Sequence, residues 1–150
     1  LALERGRGEF VALTRARFDP GPRLVELAIA GAPDPYLVRR GRAPERLSGP
    51  GPRLQLGVRE GVAYASKQVE LTPGEGLLLL TDGLPEASDS DGEPLGYEEL
   101  ESILGQEAAN GPPSTWLSRL FDAVQRQSGR VPEDDWTAAM LMPRSVGESE

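Results

Sequence analysis

The segment GLLLLTDG, from Gly76 to Gly83, constrains the chain more than any other stretch. Four consecutive leucines stand between two sets of turn formers, Thr72-Pro73-Gly74-Glu75 before them and Asp82-Gly83 after. The run is too short to sustain a helix, and it lacks the alternation of a half-buried strand. It therefore predicts a central strand buried on both faces. Its abrupt end in an acid admits two readings. Asp82 is a turn residue, or it is a carboxylate presented at a sheet edge by a backbone that glycine allows to turn sharply.

The segments around this strand follow two different periods. In the stretch from Gly8 to Gly41, Phe10, Ala12, Thr14, Ala16 and Phe18 fall on one face at period two, Asp19-Pro20-Gly21-Pro22 supplies a turn, and RLVELAIA continues as a strand, so a β-hairpin is expected. A short strand at YLVRRG, a Gly-, Pro- and Arg-rich surface connection from 42 to 61, and an alternating strand at YASKQVEL precede the leucine run. Helical spacing appears only later. It covers Tyr97 to Gln106, with Leu100, Ile103 and Leu104, and Ser114 to Gln127, with Leu120, Phe121 and Val124 and Ser114 as the expected N-cap. Strand spacing returns from Trp136 to Met142, ahead of a polar tail over 143–150. Strands, then two helices, then a strand make an α+β domain rather than a repeated βαβ unit.

Composition narrows the chemistry. The 150 residues include neither histidine nor cysteine, so any metal must be held by oxygen, which points to Mg²⁺, Mn²⁺ or Ca²⁺. The net charge of -8 is unevenly spread. Residues through Glu60 carry eleven arginines against seven acids, and those beyond carry five basic residues against seventeen acids. An acidic half argues against a nucleic-acid surface, and serves solubility or divalent-cation binding. No stretch has the roughly 20 apolar residues of a membrane span, so a cytoplasmic location is expected.

The acids themselves point to one end of a sheet. Asp134 and Asp135 stand immediately before the last predicted strand, while Asp82 follows the leucine strand. If these strands are antiparallel neighbours, the end of one lies beside the start of the other and the three acids converge. Carboxylates brought together repel unless a cation or proton lies between them. Each acid alone also fits a turn, so the pattern leaves turn and hard-cation site both open. The acidic segment ASDSDGEPLG is not a calcium loop of the helix-loop-helix kind: the twelfth position from Asp89 is Leu100, not glutamate. Arg39, Arg40 and Arg42 form a basic patch that fits a solvated strand end better than a phosphate site.

Several of these elements together resemble a known family, the bacterial metal-dependent PPM-type serine/threonine protein phosphatases, in their SpoIIE-like branch. FVALTRARFDP is similar to the family's early strand and turn, and AGAPDPYLVRRG to its Ala-Gly-His-Pro-Pro segment. VELTPGEGLLLLTDGLPEA resembles its Thr-Asp-Gly strand and the Glu-Ala that follows, LGYEELESIL its next helix, and DDWTAAMLM its closing Asp-Asp-x-Thr strand. The resemblance implies a PPM-like β-sandwich flanked by helices in αββα layers, with residues 1–142 forming a partial phosphatase domain. It implies that Asp82 and Asp134 are metal ligands, that Asp135 orients the site from the neighbouring position, and that Gly83 and Glu86 belong to a switch-like segment. It also implies a Mg²⁺ or Mn²⁺ centre activating water against phosphoserine or phosphothreonine in a protein substrate, such as an anti-sigma-factor antagonist, and it leaves open an upstream sensor domain.

Departures from the family pattern bear on activity. Ala32 stands where the family has histidine and Asp34 where it has proline, and LALERGRGE before Phe10 offers no aspartate for the family's upstream Gly-Asp element. The expectation is therefore a chain that is either the C-terminal portion of a longer phosphatase or a degenerate relative. By itself such a chain hydrolyses phosphoserine weakly or not at all. The alternative role is a catalytically inactive, phosphatase-like regulatory module that binds a partner.

Overall fold

A turn over Pro20 to Arg23 joins the first two strands, β1 (Leu13–Asp19) and β2 (Leu24–Ala30), in a computed structural model that describes residues 10–89, 91–128 and 135–143. Asp19 Oδ1 accepts the Gly21 N–H at 3.1 Å, the side-chain-to-backbone bond that favours aspartate at a turn entrance. Phe10 was expected to share the inner face of this hairpin. It instead lies ahead of the strand and is exposed, while the neighbouring Val11 exchanges backbone bonds with Leu56 at 3.0 and 2.9 Å. The faces of β1 otherwise follow the predicted alternation, with Thr14, Ala16 and Phe18 half-buried.

Two antiparallel sheets contain all the named strands. Strand β5 (Ser66–Glu70) pairs with β2, giving a three-stranded sheet in the order β1-β2-β5. The second sheet contains β3 (Tyr36–Arg39), the two-residue β4 (Glu45–Arg46), β6 (Glu75–Leu80) and β7 (Ala138–Leu141), in the order β4-β3-β6-β7. Strand β6 is the leucine run. Leu37, Leu77 and Leu141 form one cross-strand row and Tyr36, Leu78 and Met140 the next. Because successive side chains point to opposite faces, the first row meets Val25 and Leu27 of the other sheet, and the second meets the helices. The leucine run needs apolar cover on both sides, and it receives both.

The helical layer is α1 (Gly96–Asn110) and α2 (Trp116–Ser128), entered through a 3₁₀ turn over Pro113–Thr115. Ser114 is therefore part of that turn rather than the N-cap the sequence predicts. Leu100 and Leu104 of α1 and Trp116, Leu120 and Val124 of α2 are fully buried with Tyr36, Val38 and Leu78. Each such side chain stabilises the packing by about 1.5–3 kcal/mol. Gly76 makes room for this layer: a Cβ there would lie 2.6 Å from Met140 Sδ and 3.4 Å from Trp116 Cζ3. Among the described residues the layers are thus sheet, sheet and helices, with both helices on the four-stranded side.

Candidate metal site

The site is built where β6 ends and β7 begins. Their register, Leu80 opposite Ala138, runs on as a bond from Thr81 N–H to Thr137 O at 2.9 Å. The Thr81 hydroxyl adds a second tie. It accepts the Thr137 N–H at 3.1 Å and lies 3.1 Å from Asp135 O and 3.3 Å from Thr137 O, its two possible acceptors. The antiparallel neighbourhood that the sequence made a condition for convergence is present.

After Thr81 the chain turns back at once. Asp82 O accepts the Glu86 N–H at 3.0 Å and Leu84 O accepts the Ala87 N–H at 3.3 Å, so residues 82–87 form a compact turn. Leu84 is buried in the helical core and anchors the turn from below. Gly83 touches the opposite segment: a Cβ at this position would lie 2.7 Å from Asp135 O and 3.3 Å from Trp136 Cδ1. Only a residue without a side chain allows that approach. The Asp82 and Glu86 side chains remain exposed. The turn is tied to the start of α1 by bonds from Gly96 N–H to Pro85 O and from Leu95 N–H to Ala87 O, both 2.8 Å.

The structure thus brings Asp82, Gly83, Glu86 and Asp135 to one end of the four-stranded sheet. Asp134, expected as the second ligand, lies outside the described residues, as do Leu1–Glu9 and the tail from 144 onward. The donor chemistry is all oxygen, which suits a hard cation. The donor number is short: among the described residues no group of three or more acids could hold a metal ion. These residues alone do not constitute a metal centre.

The other acidic cluster is accounted for by its own turn. Asp89 Oδ1 accepts the N–H groups of Asp91 at 2.8 Å and Glu93 at 3.0 Å, so the carboxylate serves the loop backbone. The basic patch is partly neutralised as well, with Arg39 bonded to Glu75 at 2.5 Å and Glu45 at 3.0 Å.

Three features escaped the sequence reading. Asp34, only 9% exposed, accepts Ser48 Oγ at 3.0 Å and Arg53 Nη1 at 2.6 Å. The acid that departs from the family's proline therefore locks its loop to the 42–61 connection. Arg46 donates to Glu101 of α1 and lies over the rings of Tyr97 and Tyr36. Tyr97 is exposed in the first turn of α1. Partial burial pushes its phenol above the ordinary tyrosine range, and the carboxylates of Asp82, Glu86 and Asp34 push the same way against Arg46. Arg46 was hidden in a segment read only as a connection, and Tyr97 in one read only as a helix start. No local pattern marks either.

Comparison with known proteins places these elements in context. A family model described as stage II sporulation protein E (SpoIIE) matches residues 1–143. The fold is similar to the PP2C domain of SiaA from Pseudomonas aeruginosa, at 22% identity and a TM-score of 0.67 over 81% of this chain and 47% of that one. It is similar to the RsbU and RsbW domains of a Mycobacterium tuberculosis protein, at 24% identity and 0.71, covering 85% and 34%. The phosphatase domain of SpoIIE from Bacillus subtilis matches at 15% identity and 0.66, covering 93% and 61%. The chain therefore spans less than two thirds of each of these structures, and at such identities the likeness is one of fold. No curated protein sequence matched.

Proposed function

From the premise that the chain belongs to the SpoIIE family, we propose that it is part of a metal-dependent protein serine/threonine phosphatase domain acting on phosphoserine or phosphothreonine. The carrying observation is the join of β6 to β7, where Gly83 packs on the Asp135 backbone and leaves Asp82 exposed beside it. In this reading Asp82 is a ligand to Mg²⁺ or Mn²⁺, Asp134 is its partner, and Asp135 and Glu86 orient the site. The further oxygen donors come from outside the described residues. Thr81, Gly83 and the 82–87 turn hold the carboxylate in place. Substrates of the anti-sigma-factor-antagonist kind, in a cytoplasmic partner-switching pathway, accord with the RsbU and SiaA names among the structural neighbours.

A second reading has its own support. Asp34, an acid where the family has proline, ties its loop to Ser48 and Arg53, and this departure favours a phosphatase-like module that binds a regulatory partner without turnover. One assay separates the two: phosphate release from a phosphoserine peptide by the native polypeptide that carries this sequence, with and without Mn²⁺. The phosphatase reading expects metal-dependent release that falls at least about 100-fold in Asp82→Asn with the melting temperature retained. Release that ignores either the metal or the substitution overturns it. Absence of release at every metal concentration leaves the binding module.

A further inference from the structure

The end of the sheet that carries Asp82 also carries an arginine in a prepared setting. Arg46 closes β4 and pairs with Tyr36, which pairs in turn with Leu78 of β6, so its side chain belongs to the same end of the sheet as the turn after β6. Two nitrogens of its guanidinium, Nε at 2.8 Å and Nη2, donate to Glu101 Oε1, which also accepts the Tyr36 hydroxyl at 3.0 Å. The guanidinium carbon lies 4.9 Å from the centroid of the Tyr97 ring and 5.9 Å from that of Tyr36. Nη1 is not committed to the carboxylate.

This setting suits an anion. A guanidinium held along one edge and stacked on a ring has already given up most of its rotamer freedom, and its planar fork matches phosphate oxygens. The other arginines of this region are spent differently, Arg39 on Glu45 and Glu75 and Arg53 on Asp34. The remaining charges that reach the Tyr97 phenol, those of Asp82, Glu86 and Asp34, are all negative. By the register of β4, β3 and β6, Arg46 shares this end of the sheet with the Asp82 turn, and a phosphate monoester bound there would have Arg46 as a cationic contact.

We propose that Arg46, anchored by Glu101 and stacked on Tyr97, binds and orients the phosphate group of the substrate at the Asp82 end of the sheet; this rests on the phosphatase reading above. Glu101 and Tyr97 are positioning residues that set the direction of the guanidinium. Without bound metal Asp82 opposes the anion by charge, so removal of that carboxylate should cost turnover without weakening metal-free phosphate binding.

The test is a titration of the protein with inorganic phosphate followed by ³¹P NMR, set beside the phosphoserine-peptide assay. Arg46→Ala is expected to weaken phosphate binding about tenfold or more. Arg46→Gln, which keeps the stem on Tyr97 and a donor for Glu101, should do the same and stands in if the alanine variant fails to fold. Asp82→Asn should keep or tighten phosphate binding by up to about tenfold while losing turnover. Equal phosphate affinity in Arg46→Gln and the unsubstituted protein overturns the proposal, as does an unsubstituted protein that binds no phosphate at millimolar concentration. If turnover needs Asp82 but phosphate binding ignores Arg46, the phosphatase reading stands and this inference falls. If phosphate binding needs Arg46 in a protein that hydrolyses nothing, the anion site stands without the enzyme.

Discussion

Gly83→Ala inserts a methyl group where the turn after β6 rests on the segment before β7. The new Cβ would lie 2.7 Å from Asp135 O and 3.2 Å from Asp135 C. Both neighbours are backbone atoms, so no side-chain rotation relieves the overlap. Ordinary contact begins at 3.4 Å, so the Asp135 peptide must retreat by about 0.7 Å. That retreat pulls on the 3.1 Å contact of Thr81 Oγ1 with Asp135 O and on the bond from Thr81 N–H to Thr137 O. Overpacking of this kind costs about 1–3 kcal/mol, and a weakened hydrogen bond adds about 1 kcal/mol. Gly83 is not among the residues with positive φ, so alanine meets no backbone strain there and the destabilisation is steric. In urea denaturation the midpoint should fall by an amount equivalent to about 2–4 kcal/mol with the slope unchanged. Gly21→Ala is the control, since the nearest atom to its Cβ is Asp19 Oδ1 at 3.5 Å, and it should stay within about 0.5 kcal/mol. A Gly83→Ala protein as stable as that control would refute the claim that this contact sets the geometry of the site.

Other substitutions probe the supports of the same end of the sheet. Thr81→Val keeps the shape but removes the acceptor for Thr137 N–H and the hydroxyl contact with Asp135 O, and should cost about 1–2 kcal/mol in the same denaturation assay. Asp34→Ala removes the acceptor for Ser48 and Arg53 and should cost about 1–3 kcal/mol, whereas a neutral result would mean that the loop is held by other contacts. Burial, then the hydrogen bond to Glu101 and its charge, hold the Tyr36 phenol well above the ordinary tyrosine range. The unfolded chain releases that proton near pH 10, so this contribution is complete below about pH 10 and is lost as pH rises toward the folded value. Urea midpoints measured from about pH 9 to 11.5 should therefore fall, and fall less steeply in Tyr36→Phe.

How much of this was legible in the sequence depends on the range of the interaction concerned. The leucine run predicted a strand covered on both faces because period and length are local properties, and β6 is that strand. The helices were visible for the same reason, with α1 extending to Asn110 beyond the predicted Gln106 because its last turns bury only Ala108 and carry little apolar signal. The approach of the turn after Asp82 to the Asp135 backbone, made at Gly83, was legible only as a condition on strand pairing, since nothing local fixes which strands are neighbours. Phe10 and Ser114 were misassigned by pattern alone: periodicity does not show where pairing begins, and a good capping residue also fits a 3₁₀ turn. Arg46, Glu101, Tyr36 and Tyr97 come from β4, α1 and β3, up to 65 residues apart, and no spacing rule connects them. Asp34 reads as a departure from a motif in the sequence and as the centre of a polar latch in the structure, because Arg53 reaches it from a different segment.

The most direct test of the account is a titration of the protein with Mn²⁺ followed by paramagnetic broadening of its backbone amide signals. If Asp82 marks the metal position, the amides of Gly83, Leu84, Glu86, Ala87 and Tyr97 broaden first, those of the Asp89 to Glu93 turn follow only at higher concentration, and Asp82→Asn removes the early phase. Broadening centred on Asp89 to Glu93, or an early phase unchanged in Asp82→Asn, would contradict it.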